Sequence, residues 1–249
     1  LVKEAFVDPE LTSRLRLTSA NSINIARLIP QTFYYFWALA QLSRAVPIFR
    51  GELRGVIVSV PSGNFGNLTA GLIAKRMGLP ITRFIAATNE NDVVPEYLES
   101  AVFRPRPSIA TISNAMDVGH PSNFARMLEL YPNVEDMRDD VIGIRVSEHE
   151  TRETITRVYQ ETGYILDPHG AVACAALHKH LVSLRAAAKQ SPCGLFLETA
   201  HPAKFREVVE EEIGEPIDIP NRLATCLSKQ KQSTKLPANF DALKAFLLC

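Results

Sequence analysis

Net charge is missing from this chain: 27 Lys and Arg residues balance 27 Asp and Glu residues. Nucleic-acid binders carry a basic excess, so no DNA or RNA partner is expected. Cysteine is scarce, and Cys174, Cys193, Cys226 and Cys249 show no CxxC spacing. Neither a disulfide framework nor a thiolate metal site is indicated, and a reducing, cytoplasmic setting is expected. Long apolar runs are lacking too. The longest, Phe33 to Ala40, falls far short of the roughly 18 residues that mark a membrane helix, so no membrane partner is expected. His120, His149, His169 and His201 have no ligand spacing, and His178 and His180 sit two apart in one helical stretch, so no metal centre is expected. Internal repeats, a G-x-S-x-G elbow and a charged-then-apolar leader are all absent. The chain opens on Leu1, not Met, and on that ground a fragment of a longer polypeptide is expected.

What is present is an ordinary core-forming composition: 249 residues, 46% apolar and 22% charged. At about 150 residues per domain this is one large domain, or one domain with part of another. The clearest unit starts at Gly55. Val56 to Val60 is short and β-branched, as a buried parallel strand should be. The turn Pro61 to Asn67 follows, then a helix from Leu68 to Met77, stopped by Gly78 and Pro80, and a strand Ile81 to Ala87. This is a βαβ unit. Further strands are expected at Ser108–Ile112, Val141–Val146 and Gly194–Leu197. Helices are expected at Asn123–Tyr131, from Ser147 to about Gly163 behind an S-x-x-E capping box, at Ala171–Ala188, at Lys204–Ile213 and at Asn239–Leu248. Ile25 to Leu42 reads as one long buried helix bent near Pro30. The alternation predicts an α/β fold with a mostly parallel twisted sheet and helices on both faces.

In such sheets ligands bind beyond the carboxyl ends of the strands. The turn Ser62-Gly63-Asn64-Phe65-Gly66-Asn67 lies there. Gly63 and Gly66 permit close backbone approach and positive φ, Ser62, Asn64 and Asn67 add polar side chains, and a helix N-terminus follows. Together these suit a phosphate. No Walker lysine follows the second glycine, so a nucleoside triphosphate is disfavoured. A glycine-rich turn without a ligand fits the spacing equally well. Thr199, in Glu198-Thr199-Ala200-His201-Pro202, either aims a hydroxyl into the cleft or serves a helix start. Asn21-Ser22-x-Asn24-x-x-Arg27 is either a second anion site or a capped helix with a solvated Arg.

Five segments, read together, carry a resemblance. They are Thr18–Asn24 with Arg27-Leu28 and Pro30-Gln31; Val60–Asn67; Asn114–Gly119 with Pro121-Ser122-Asn123; Asp167-Pro168-His169; and Glu198–Phe205. In this order they resemble the threonine synthases, pyridoxal-phosphate enzymes of the tryptophan-synthase-β type (fold type II). The resemblance implies that Ser62, Gly63, Asn64, Phe65, Gly66 and Asn67 hold the phosphate of pyridoxal 5′-phosphate. Thr199 would meet the pyridine nitrogen, and Asn21, Ser22, Asn24 and Arg27 would bind the substrate phosphate. The implied reaction turns O-phospho-L-homoserine and water into L-threonine and phosphate.

The family's Schiff-base lysine lies upstream of every matched segment, and Lys3, Lys75 and Lys204 do not have its context. The chain therefore resembles the C-terminal portion, with the fold incomplete at its N-terminus. Residues 1–17 would end the small domain, 18–219 form the large cofactor-binding domain and 220–249 a C-terminal extension. Alone it would be inactive for want of the amine. Two alternatives stay open: a pyridoxal-phosphate phospholyase or dehydratase giving a 2-oxo acid, and a non-catalytic cofactor- or phosphate-binding fragment.

Overall fold

A computed structural model describes residues 1–45, 55–187 and 192–249. Its strands are β1 (Val56–Pro61), β2 (Arg83–Thr88), β3 (Val141–Arg145) and β4 (Cys193–Phe196). Its helices, in chain order, are α1 (Val2–Ala5), α2 (Pro9–Arg14), α3 (Thr32–Ala45), α4 (Gly66–Arg76), α5 (Val93–Ser100), α6 (Phe124–Leu130), α7 (Val134–Asp140), α8 (Glu148–Thr162), α9 (Pro168–Ala186), α10 (Arg206–Ile213), α11 (Asn221–Leu227) and α12 (Phe240–Leu248). The described strands form one parallel sheet in the order β3-β2-β1-β4. The expected α/β fold with helices on both faces is the one adopted.

Period-two alternation along β1 explains the layers. Val56, Val58 and Val60 pack with Phe84, Tyr35, Leu39, Leu68 and Leu72 on the side of α3 and α4. Ile57 faces the other way and packs with Ile85, Val172, Ala173 and Ala176 on the side of α9. Ser59 shares that second face, and its hydroxyl donates to Ala173 O at 2.8 Å, so the buried oxygen is satisfied. With both faces covered, β1 is buried at every position. The small residues of α9 let it lie close on the sheet. The capping box at Ser147 and Glu150 starts α8 as the spacing predicts.

Two expected elements differ. The stretch from Ile25 is not one helix: Ile25–Arg27 and Ile29–Gln31 are separate 3-10 turns, and α-helix begins at Thr32. Pro30 has no N–H to give to a continuous helix. The stretch is not buried throughout either, since Phe33 is 66% and Trp37 65% exposed.

The expected strand Ser108–Ile112 does not form. Its backbone groups are claimed by side chains instead. Asn91 accepts from Ile109 N at 2.8 Å and donates to Ile109 O at 2.9 Å, while Asp117 accepts from Thr111 N at 3.0 Å. Asn89 donates to Asp117 at 2.9 Å and so ties this network to the end of β2. Among the described residues the segment has no ladder partner.

At the termini, α12 packs on α1 and α2, and Lys244 pairs with Asp8 at 2.9 Å and Glu10 at 3.0 Å. No helix among the described residues is long and apolar enough to cross a membrane.

The side-chain substitute for a β-ladder is testable. Asn91→Ala strands both polar groups of Ile109, and each such loss costs about 1–3 kcal/mol. Because Ile109 is 52% exposed, water replaces part of the loss, and urea unfolding should show a fall of about 1–3 kcal/mol. A change below about 0.5 kcal/mol would mean that the pairings carry no weight.

Candidate active site

A cavity of about 730 Å³ opens at the carboxyl ends of β1 and β4. One wall is the β1–α4 turn, and the other is Leu197, Glu198 and Thr199 after β4. Ser22, Gln31, Tyr34, Trp37, Ala115, Met116 and His169 complete the lining.

The turn leaves β1 at Pro61 and enters α4 through Phe65, which is buried and left-handed at φ 61°. A non-glycine residue there is strained by about 1–2 kcal/mol. The positive φ expected at Gly63 and Gly66 is not found; the turn takes it at Phe65. The glycines serve close approach instead. A Cβ on Gly63 would stand 2.6 Å from Met116 Cα and 2.7 Å from Ala115 O, both backbone atoms. Among the described residues, nothing accepts a hydrogen bond from the backbone N–H groups of Gly63, Asn64, Phe65, Gly66 or Asn67. A run of unspent amides at a helix N-terminus concentrates positive potential.

The side chains of the turn are occupied with one another. Asn64 Nδ2 donates to Ser22 Oγ at 2.7 Å, and Asn64 Oδ1 accepts from Ser122 N at 2.6 Å and Ser122 Oγ at 2.8 Å. Asn67 Nδ2 donates to Pro61 O at 2.8 Å. Ser62 is buried and turns away from the cavity, its Oγ donating to Val60 O at 2.8 Å. Each carboxamide nitrogen thus spends one of its two N–H groups, while the main-chain amides from Gly63 to Asn67 spend none.

The second predicted group is only partly gathered. Ser22 lines the cavity. Asn21 and Asn24 shape their own loop, accepting from Ile23 N at 3.1 Å and Ala26 N at 3.0 Å. Arg27 is exposed and does not line the cavity. Thr199 does line it, beside Glu198.

Other residues took roles that the sequence reading did not assign. Arg126 holds the Ser22 loop by donating to Ser22 O at 3.1 Å and Ile23 O at 2.6 Å. Asn123, fully buried, donates to Ser22 Oγ at 3.2 Å. Both follow Pro121-Ser122, a segment quoted above without a function. His169 Nε2 accepts from Ala115 N at 3.2 Å, so the ring proton sits on Nδ1, which donates to Asp167 Oδ1 at 2.6 Å. Asp167 then Pro168 is a cap followed by a first-turn proline, a helix start visible in sequence three residues ahead of the predicted one.

Burial pushes the Asp167 carboxyl up, but hydrogen bonds from His169 and Glu198 outweigh it and hold the group below its ordinary value. Glu198 goes the other way. Burial first, then the hydrogen bond and charge of Asp167, hold it far above the carboxylate range. Burial raises the Tyr34 hydroxyl to about 12, so it remains a neutral donor.

Three comparisons bear on this geometry. The family model described as pyridoxal-phosphate dependent enzyme matches residues 17–194, and that described as threonine synthase, C-terminal, matches residues 170–247. Threonine synthase of Serratia marcescens is 47% identical over 248 residues, covering 100% of this chain and 54% of that protein. Threonine synthase of Escherichia coli strain K12 is 47% identical over 249 residues, covering 100% of the chain and 55% of the relative. The crystal structure of threonine synthase from Escherichia coli superposes with a TM-score of 0.85 at 45% identity, over 99% of this chain and 54% of that one. Pyridoxal-phosphate-bound threonine synthase from Brucella melitensis gives 0.81 at 32% identity, over 99% and 55%. The chain thus spans about half the length of the curated relatives it matches. With a family model covering residues 17–194 and a parallel sheet whose strand ends build the amide-lined cavity, the chain belongs to the pyridoxal-phosphate dependent enzymes.

Proposed function

We propose that the cavity holds pyridoxal 5′-phosphate and that the enzyme to which these residues contribute is a threonine synthase. It would convert O-phospho-L-homoserine and water to L-threonine and phosphate. The observation that carries the cofactor half is the row of unspent amides from Gly63 to Asn67. They suit a phosphate dianion, and the cavity is large enough for the ring. Bound there, the cofactor supplies an electron sink for carbanions beside a substrate amine.

This chain's residues do the rest. The amides of Gly63 to Asn67 fix the phosphate. Thr199 offers the ring nitrogen a neutral hydroxyl, which stabilises a ring cation less than a carboxylate would. Ser22, with Asn21, Asn24 and Arg27 on its loop, faces the substrate phosphate in this reading. Arg27 would have to turn toward the cavity. The loop orients the leaving group and offsets the charge that grows on it. Trp37 and Tyr34 line one side of the cavity.

The amine is the missing part. Among the described residues lining the cavity there is no lysine. Lys75 is committed to Asp140 at 2.6 Å, and Lys204 lies over the Phe205 ring. We take the amine to come from polypeptide outside residues 1–249, and this chain alone to be inactive. We further propose residues 18–219 as the cofactor-binding unit, with residues 1–17 and 220–249 packed together at its flank. Its cysteines, free in the structure, fit a reducing cytoplasm. The phospholyase alternative is settled by product: threonine for a synthase, 2-oxobutanoate for a lyase.

Trp37 is the sole tryptophan and lines the cavity, so its fluorescence reports occupancy. Pyridoxal phosphate should quench it saturably, and inorganic phosphate should compete. Gly63→Ala should weaken binding by more than about tenfold, because two backbones must part to admit the methyl. Quenching that never saturates in the wild-type chain would refute the cofactor site.

Borohydride reduction in the presence of pyridoxal phosphate should label no single lysine stoichiometrically. A unique pyridoxyl-lysine in the digest would show that the chain carries its own nucleophile.

A further inference from the structure

Asp167 and Glu198 arrive from different elements, the N-cap of α9 and the turn after β4, and meet beside the cavity. Asp167 Oδ1 is taken by His169, through its backbone N–H at 2.9 Å and its ring at 2.6 Å. Asp167 Oδ2 and both Glu198 oxygens are buried and complete no well-formed hydrogen bond among the described residues. The Asp167 backbone N–H acts on Glu198 in favour of its charged form, but more weakly than burial and the Asp167 carboxyl act against it. Glu198 is also confined. It lies so close on Gly170 that a Cβ there would stand 2.3 Å from its Cδ. Two carboxylates pressed together without a side-chain donor between them repel strongly. One proton removes a charge and turns the contact into a short, strong hydrogen bond.

We infer that Asp167 and Glu198 share one proton at neutral pH, and that this proton positions Thr199 and the Ala115 amide at the cavity wall. The proton belongs mainly to Glu198. Asp167 keeps the negative charge because it caps α9, where the helix N-terminus and two His169 N–H groups favour an anion. The neighbouring titratable groups supply no competing cation. The Tyr164 hydroxyl is raised, by burial first and then by the charges of Glu198 and Asp167. The Cys174 thiol is raised by burial, with Arg157 and Glu198 acting on it in opposite senses. His169 Nε2 is occupied by the Ala115 N–H, and its Nδ1 faces Asp167, not Glu198.

The consequence is mechanical. Glu198 precedes Thr199, and Asp167 holds the His169 ring whose Nε2 accepts from Ala115 N. Losing the proton would push the end of β4 away from the start of α9. Its bearing on cofactor binding rests on the role proposed above for Thr199. Both measurements below use the 249-residue chain without cofactor, so failure of that role leaves them standing.

The first is urea unfolding from about pH 5 to pH 9. Unfolded Glu198 titrates near 4.3, so in this window the folded state binds one proton more than the unfolded state. Stability then falls as pH rises, by about tenfold in the folded-to-unfolded ratio per pH unit. Glu198→Gln keeps the shape and a donor but cannot titrate. It should remove that tenfold per unit from the slope, since all other groups cancel in the difference. Identical slopes would overturn the shared proton. So would the lack of a protonated-carboxyl infrared band at neutral pH that Glu198→Gln abolishes. That band is read in the native state and does not depend on how the variant unfolds. The second measurement is amide hydrogen exchange at about pH 10. Ala115 and Thr199 should exchange faster in the wild type than in Glu198→Gln at equal pH, and equal protection would overturn the positioning role.

Discussion

The Asn64 carboxamide is the joint on which the site depends. Its nitrogen donates to Ser22 and its oxygen accepts twice from Ser122, residues 42 and 58 positions away in the chain. Three loops that share no secondary structure are thereby held at one point. Arg126 and Asn123 reinforce the joint from behind by binding Ser22 and Ile23. The Asn64 carboxamide is engaged at both ends, and Asn67 spends one N–H on Pro61 O, while the main-chain amides from Gly63 to Asn67 remain unspent. A side chain that looks like a ligand donor thus serves as a structural strut, and in the proposed reading the phosphate donors are amides that any residue could supply.

That division of labour explains the composition of the turn. Amides converge on one point only if the backbone curls tightly and lies against its neighbours. Gly63 lies against Met116 and Ala115 with no room for a methyl group. Phe65 accepts a left-handed conformation because its ring is fully buried, and that burial offsets the strain. The bond from Tyr35 Oη to Asn67 O, 2.7 Å long, ties the first turn of α4 to α3.

Local patterns revealed the scaffold. β1, α4 and β2 were readable because each is largely buried and closed by glycine or proline signals. The start of α8 was readable because its capping box is complete within four residues. The place of the glycine-rich turn at the end of β1 followed from the same unit. What escaped was whatever a distant side chain decides. Ser108–Ile112 has the composition of a strand, yet Asn91 and Asp117 satisfy its backbone from 18 and 6 residues away. Ile25–Leu42 has helical spacing, but Pro30 divides it, and the aromatic run beyond is amphipathic, with Tyr35 buried and Trp37 out. Asp167, His169 and Glu198 carried no signal as a group, because their encounter exists only once β4 lies beside β1 over α9.

The electrostatics of the cavity then impose a constraint on that encounter. Among the described residues lining it there is no Lys or Arg. Its attraction for an anion comes from amide dipoles and the N-terminus of α4, a field of partial charges that a full negative charge nearby would cancel. Glu198 is the acidic residue in that lining, and the chain places it there because Thr199 is its neighbour. A strand end that delivers a neutral hydroxyl to the cavity therefore delivers a carboxyl as well. The proposed anion site is best served if that carboxyl is uncharged. Asp167, anchored at the head of α9 and kept anionic by His169, supplies the repulsion that keeps it so.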